Sequence, residues 1–227
     1  MNDTKFSVVV PTMWRYDPFL EFLEYLVSVD LIGEINVINN AVDKTPDIEI
    51  LKHPKIKMHN FALNIFINPA WNYGVGISSY DKVCVINDDV VFDTQIFNRV
   101  FELLTPGTLI VNSPPPPGTA SDRGLIKIQH FTEPDRPWEF GSMMFVHRND
   151  WIDIPAGLDF FHGDTWIWET MRLRYNHNYV IKDMFFFTPQ SATLDSGVLT
   201  NREFIYVERE CKIYLAAIAL FKHRLLL

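Results

Sequence analysis

Short apolar runs that end in polar residues recur along the first half of the chain. Phe6 to Val10 is a β-branched run closed by Pro11, the pattern of a buried parallel strand opening into a loop. The loop carries Thr12, Trp14 and Arg15, and Asp17-Pro18 then marks a helix start. Phe19, Leu20, Phe22, Leu23, Leu26 and Val27 recur at helical spacing and form one apolar face. A second strand is expected over Glu34 to Ile38, ending in Asn39 and Asn40. A third is expected over Lys82 to Ile86, ending in Asn87, Asp88 and Asp89. Strands alternating with helices imply a parallel sheet, whose ligands sit beyond the carboxyl ends of the strands. All three strand ends are polar.

Beyond Asp89 the pattern predicts a helix over Thr94 to Leu104, capped by Asp93 or Thr94 and stopped by Pro106 and Gly107. Pro114 to Pro117, followed by Gly118 and an irregular polar stretch to Pro137, forms the best boundary, dividing one compact domain into halves 1–112 and 113–227. The second half reads as a strand from Gly141 to Val146, a helix from Thr165 to Tyr175, an aromatic strand from Met184 to Phe187, and a long helix from about Glu203.

Composition narrows the function classes. The chain has 227 residues, 48% hydrophobic and 21% charged, which suits a folded domain with a sizeable core. A net charge of −8 offers no general attraction to nucleic acid. Cys84 and Cys211 read as buried thiols of a reducing compartment, and no basic-then-apolar leader is evident, so the cytoplasm is expected. No apolar run reaches the roughly 20 residues that span a bilayer. Tyr214 to Phe221 reads as part of a C-terminal packing helix, with an interfacial membrane contact as the alternative.

Asp88 and Asp89 stand between two apolar runs, Val85-Ile86 and Val90-Val91-Phe92, where carboxylates need a cation, donors or water. Mg²⁺ and Mn²⁺ take such oxygens and keep positions open for phosphate. The alternative is that the pair caps the following loop and helix. Asn68-Pro69-Ala70-Trp71-Asn72-Tyr73-Gly74 brings amides, an aromatic and small residues just ahead of the acidic strand. Amides read bases or sugar hydroxyls, and small residues let backbone approach phosphate. The same segment also reads as a helix with Asn68 as N-cap and Trp71 in the core.

In this order, Val8-Val9-Val10-Pro11-Thr12, Val37-Ile38-Asn39-Asn40, Asn72-Tyr73-Gly74 and Asn87-Asp88-Asp89 resemble the motifs of family 2 glycosyltransferases. The resemblance implies the GT-A fold, an α/β, Rossmann-like and mostly parallel central sheet flanked by helices, with a smaller acceptor-side region. It assigns nucleotide-sugar binding to the first half and acceptor binding with catalysis to the second. It implies that Pro11, Thr12, Asn39, Asn40, Asn68, Trp71 and Asn72 serve the nucleotide, a UDP-sugar favoured. Asp88 would face ribose or metal, and Asp89 would hold Mn²⁺ or Mg²⁺. Asn39 and Asn87 depart from the pattern, which usually has Asp at both positions.

In the later half, Glu139-Phe140-Gly141-Ser142-Met143 is similar to the family's acceptor strand, and Phe161-His162-Gly163-Asp164-Thr165-Trp166 to the segment supplying the catalytic carboxylate. The resemblance makes Asp164 the base that takes the acceptor proton, which suggests inversion. Read without it, Asp164 is a helix N-cap. Gly141, Ser142 and Trp166 would line the acceptor, and His162 is a candidate to complete the metal shell, as are His147 and His177. The acceptor is expected to be a saccharide, a protein or a hydroxylated DNA base. A nucleotidyltransferase is disfavoured, because the loop Pro11-Thr12-Met13-Trp14-Arg15-Tyr16 has no glycine. A nucleotide-sugar-binding module without catalysis is the other alternative.

Overall fold

The first half of the chain runs β1 (Phe6–Thr12), α1 (Pro18–Ser28), β2 (Ile32–Asn39), β3 (Ile56–Asn60), α2 (Ile67–Ile77), β4 (Lys82–Ile86), β5 (Val91–Phe92), α3 (Ile96–Phe101) and β6 (Leu109–Asn112). The second half adds β7 (Lys127–His130), β8 (Met143–His147), α4 (Gly163–Tyr175), β9 (Asn178–Lys182), β10 (Phe186–Phe187) and α5 (Asn201–Leu225). This computed structural model describes residues 2–113, 126–133, 136–137, 140–188 and 201–227. The expected boundary at Pro114–Gly118, together with Trp138 and Glu139, lies outside the described residues.

Eight strands form one sheet in the order β3-β2-β1-β4-β8-β6-β9-β7, and β5 pairs with β10 apart from it. The run β3-β2-β1-β4 is parallel. Next, β8 enters antiparallel between β4 and β6, β9 lies parallel to β6, and β7 closes the edge antiparallel to β9. Both halves of the chain therefore contribute strands to one sheet.

Strand β1 continues through Pro11 to Thr12, past its expected end. Its pairing with β4 ends at Val9–Val85, whereas its register with β2 continues to Thr12–Asn39. Phe6 N–H donates to Leu31 on the β2 side, so the alternation of the strand turns the position of Pro11 toward the side where pairing has ended. The missing donor costs the ladder nothing there.

Both faces of the sheet are covered. Val8 and Val10 join Phe19, Phe22, Leu23 and Leu26 of α1 and Phe97 of α3 in one core. Val9 points the other way, into a second core with Ala70, Trp71 and Val75 of α2 and Trp166, Ile167 and Met171 of α4. A strand buried on both faces has no polar side to alternate, which explains the unbroken β-branched run. Each fully buried Val or Leu contributes about 1.5–3 kcal/mol relative to exposure. Gly74 sets the approach of α2 to the sheet, since a β-carbon there would lie 2.2 Å from Val9 Cγ1.

One buried carboxylate sits inside this frame. Glu34 of β2 is 2% exposed and accepts from Ser7 Oγ (2.7 Å), Ser79 N–H (2.6 Å) and Lys57 Nζ (2.6 Å). Burial alone would raise its pKa. The Lys57, Ser7 and Ser79 bonds outweigh that and hold it at about 2.

Candidate active site

The carboxyl ends of β1, β2 and β4 deliver Thr12, Asn39 and the Asn87-Asp88-Asp89 turn to one edge of the sheet. Thr12 Oγ1 donates to Asp88 Oδ2 at 2.6 Å and accepts from Trp14 N–H at 3.0 Å. Burial pushes the Asp88 carboxyl above the ordinary aspartate value, partly offset by bonds from Thr12 and the Met13 N–H and by the charge of Arg15. Tyr16 is raised as well, by burial first and then by the charge of Asp89. The glycine-free loop after β1 thus packs over both carboxylates.

Asn39 is fully buried, and its amide is spent inside the protein. Its oxygen accepts from Trp14 Nε1 (2.8 Å) and Ala41 N–H (3.1 Å), while its nitrogen donates to Thr45 Oγ1 (2.7 Å) and Asn60 Oδ1 (2.8 Å). The amide nitrogen of Asn39 thus serves as donor to two side-chain oxygens, a role that an ionised Asp does not fill. Asn40 Oδ1 accepts from Ile65 N–H at 3.3 Å.

The amides of α2 face the second half of the chain. Asn72 Nδ2 donates to Ile154 O (2.9 Å), and its Oδ1 accepts from Trp151 Nε1 (3.0 Å) and Ile154 N–H (2.9 Å). Asn68, 1% exposed, donates to Leu158 O (3.2 Å) and Phe161 O (3.1 Å). It is the second residue of the helix, not its cap, and Phe66 holds the cap position without a side-chain bond. Trp71 is 4% exposed and packed in the second core.

Asp164 lies in the first turn of α4, and His162, left-handed at φ 60°, is the cap residue. The carboxylate bonds its neighbour instead, accepting from Thr165 N–H at 2.6 Å. Burial lifts Asp164 above the ordinary aspartate value against the pull of Thr165, Arg136 and His162. Its side chain covers Gly141, where a β-carbon would sit 2.7 Å from Asp164 Oδ2 and where φ is +107°. Ser142, the next residue, accepts from Asn87 N–H through its carbonyl at 3.0 Å. Two residues therefore separate the α4 carboxylate from the acidic strand end. Gly141 and Ser142 precede β8, which starts at Met143 rather than at Gly141.

The remaining residues fall elsewhere. His162 stacks on Tyr214 at 5.1 Å, and burial lowers its pKa. Trp166 is 5% exposed, donates to Ile152 O at 3.1 Å and meets Phe221 of α5, so its ring is packed between helices. His147 pairs in register with Lys82 at the far end of β4, and His177 precedes Asn178, which pairs with Leu109 at that same far end.

Three residues escaped the sequence reading. Arg136 donates to Thr165 Oγ1 beside Asp164. Tyr16 neighbours Asp89. Glu210 of α5, 0% exposed, accepts the N–H groups of Phe160 (3.2 Å) and Phe161 (2.7 Å), fixing the loop that leads to Asp164. Only Glu210 had a signal, since a glutamate stands there on the helical stripe of Ile213, Tyr214, Ala217 and Ile218.

Among the described residues, Asp88, Asp89 and His162 do not form a three-ligand metal cluster. A cation bound through one or two carboxylates and its substrate's phosphates needs no such cage. The donor set is otherwise suitable. Asn87 Oδ1, a hard amide oxygen beside both carboxylates, is buried without a hydrogen-bond partner among the described residues.

The sheet order, with an antiparallel strand beside four parallel ones and an acidic turn at the end of β4, is the GT-A glycosyltransferase fold. Residues 1–349 of TarS from S. aureus, solved with UDP, are similar in structure, with a TM-score of 0.61 at 17% identity over 80% of this chain and 59% of that one. The same fragment with UDP-GlcNAc gives 0.57 at 17% identity, over 80% and 57%. The chain thus spans about three-fifths of the length of the TarS fragment. Neither a family model nor a curated protein matches the sequence.

Proposed function

We propose that this chain is a glycosyltransferase that moves a sugar from a nucleotide-diphosphate donor, with UDP-sugars first in line, to an acceptor hydroxyl. The observation that carries the reading is the placement of Asp164 over Gly141, next to the Ser142 carbonyl that holds Asn87. It brings a buried carboxylate of raised pKa beside the acidic strand end, the pairing that base and leaving group require.

In this reading the 1–112 half binds the donor and the 113–227 half holds the acceptor and base. Thr12 and the Met13 N–H orient Asp88 toward the ribose or the metal. A divalent cation held by Asp89 and Asp88 supplies charge neutralisation to the diphosphate when bound. Asp164 takes the proton of the acceptor hydroxyl as its oxygen bonds to the anomeric carbon and the bond from that carbon to the diphosphate oxygen breaks. Attack opposite the leaving group gives inversion. A carboxyl with a raised pKa is the stronger base near neutral pH. Asn72, Asn68 and Glu210 position the elements that carry these groups.

The test is a nucleotide-sugar panel with added Mn²⁺, read by loss of donor with water or a sugar as acceptor. Metal-dependent consumption of a UDP-sugar supports the enzyme. Tight donor binding by calorimetry without any turnover on a broad acceptor panel would reject it in favour of a binding module.

A further inference from the structure

At the end of the sheet opposite the candidate active site, Asp3, Asp81 and His147 bring one ligand atom each within 4.8 Å of one another. Asp3 lies just before β1, Asp81 just before β4, and His147 closes β8. The imidazole is 1% exposed, and neither ring nitrogen has a hydrogen bond among the described residues. Nε2 faces Asp3 Oδ1 at 3.5 Å, and that oxygen is itself buried without a hydrogen bond.

We propose that these three side chains bind a structural divalent cation, Zn²⁺ or a similar first-row ion, with water completing the shell. Metal bonds of about 2.0–2.2 Å at tetrahedral angles set two ligand atoms roughly 3.3–3.6 Å apart, which matches the gap between Nε2 and Asp3 Oδ1. One imidazole and two carboxylates suit such an ion. Asp81 is already oriented, since it accepts from Asn2 N–H and from Arg148 Nη2 (3.2 Å), the outer partners a ligating carboxylate carries. The Arg148 charge also keeps the pocket from being strongly anionic. The cation fastens the segment at Asn2–Asp3 to β4 and β8, where Asp81 N–H already bonds Asn2 O at 3.0 Å.

The proposal is independent of the glycosyltransferase reading, and its test is run on the full chain carrying Asp88→Asn and Asp89→Ala, which removes both carboxylates of the other candidate metal site. The metal-free protein is titrated with Co²⁺. The expected result is one equivalent bound, with the visible absorption of a low-coordinate site, displaced by Zn²⁺. His147→Ala should abolish it. Asp3→Asn, at a partly exposed position, should weaken it by more than the roughly 10–100-fold that loss of an outer partner costs, and it decides the matter if His147→Ala does not fold. No Co²⁺ uptake in the parent overturns the proposal, as does an absorption unchanged in both variants. An imidazole that titrates by NMR as a cation paired with Asp3, with no metal effect, overturns it in favour of a simple ion pair.

Discussion

The side chain of Asp164 occupies the space in which a β-carbon on Gly141 would lie, 2.6 Å from Asp164 Cβ. Gly141 also has φ +107°, a conformation that L residues adopt only with strain. Gly141→Ala is therefore expected to destabilise the fold by about 1–3 kcal/mol and to displace Asp164. Thermal denaturation alongside transfer assays should show both losses. Wild-type stability and rate would mean that the two residues are not in contact.

Gly163 and Asn68 form a second tight pair, with a β-carbon at Gly163 falling 2.0 Å from Asn68 Oδ1. Gly163→Ala should cost stability, and less so in an Asn68→Ala background, where the obstacle is gone. A double-mutant cycle should return a coupling of about 0.5–3 kcal/mol. Additive costs would argue against the contact.

Glu34 makes the acid limb of stability predictable. Its folded pKa, about 2, lies below the unfolded value of about 4.3, so its contribution is complete above the unfolded value and is lost as pH falls toward 2. Glu34→Gln should cost up to about 3 kcal/mol at pH 7, and the gap to wild type should close in acid. A gap independent of pH would assign the loss to packing.

Asp164 has the opposite sign. Its folded pKa is raised, so the stability it brings is complete only below the unfolded value and is surrendered as pH rises through the folded one. The charged carboxylate is then a cost at neutral pH. Asp164→Asn should melt higher than wild type at pH 7, with the advantage shrinking as pH falls through the raised folded value and gone below about pH 4, the unfolded value. A variant that melts lower at pH 7 would contradict the sign.

The strands β1, β2 and β4 were legible because burial on both faces leaves unbroken β-branched runs. The edge strands were not. Only Ile56 is buried in β3, and none of Lys127–His130 is, so neither carries an apolar run. The entry of β8 between β4 and β6 is a long-range choice that no local pattern states. Asp88 and Asp89 stood out because charge directly after an apolar strand is costly. The partners of Asn39 and Asn72 are set by Thr45, Asn60, Trp151 and Ile154, which local spacing does not reveal. Trp71 and Trp166 show the same gap, since residue type alone does not separate a sugar-facing ring from a core one.

The central claim is that one carboxylate serves chemistry and the acidic pair serves binding. It is tested by measuring donor affinity and transfer rate together for wild type, Asp164→Asn and Asp89→Ala, with a UDP-sugar and Mn²⁺. The account predicts near wild-type donor affinity for Asp164→Asn with transfer reduced by roughly 10²–10⁴-fold, and weakened, metal-insensitive donor binding for Asp89→Ala. Full transfer by Asp164→Asn would contradict it.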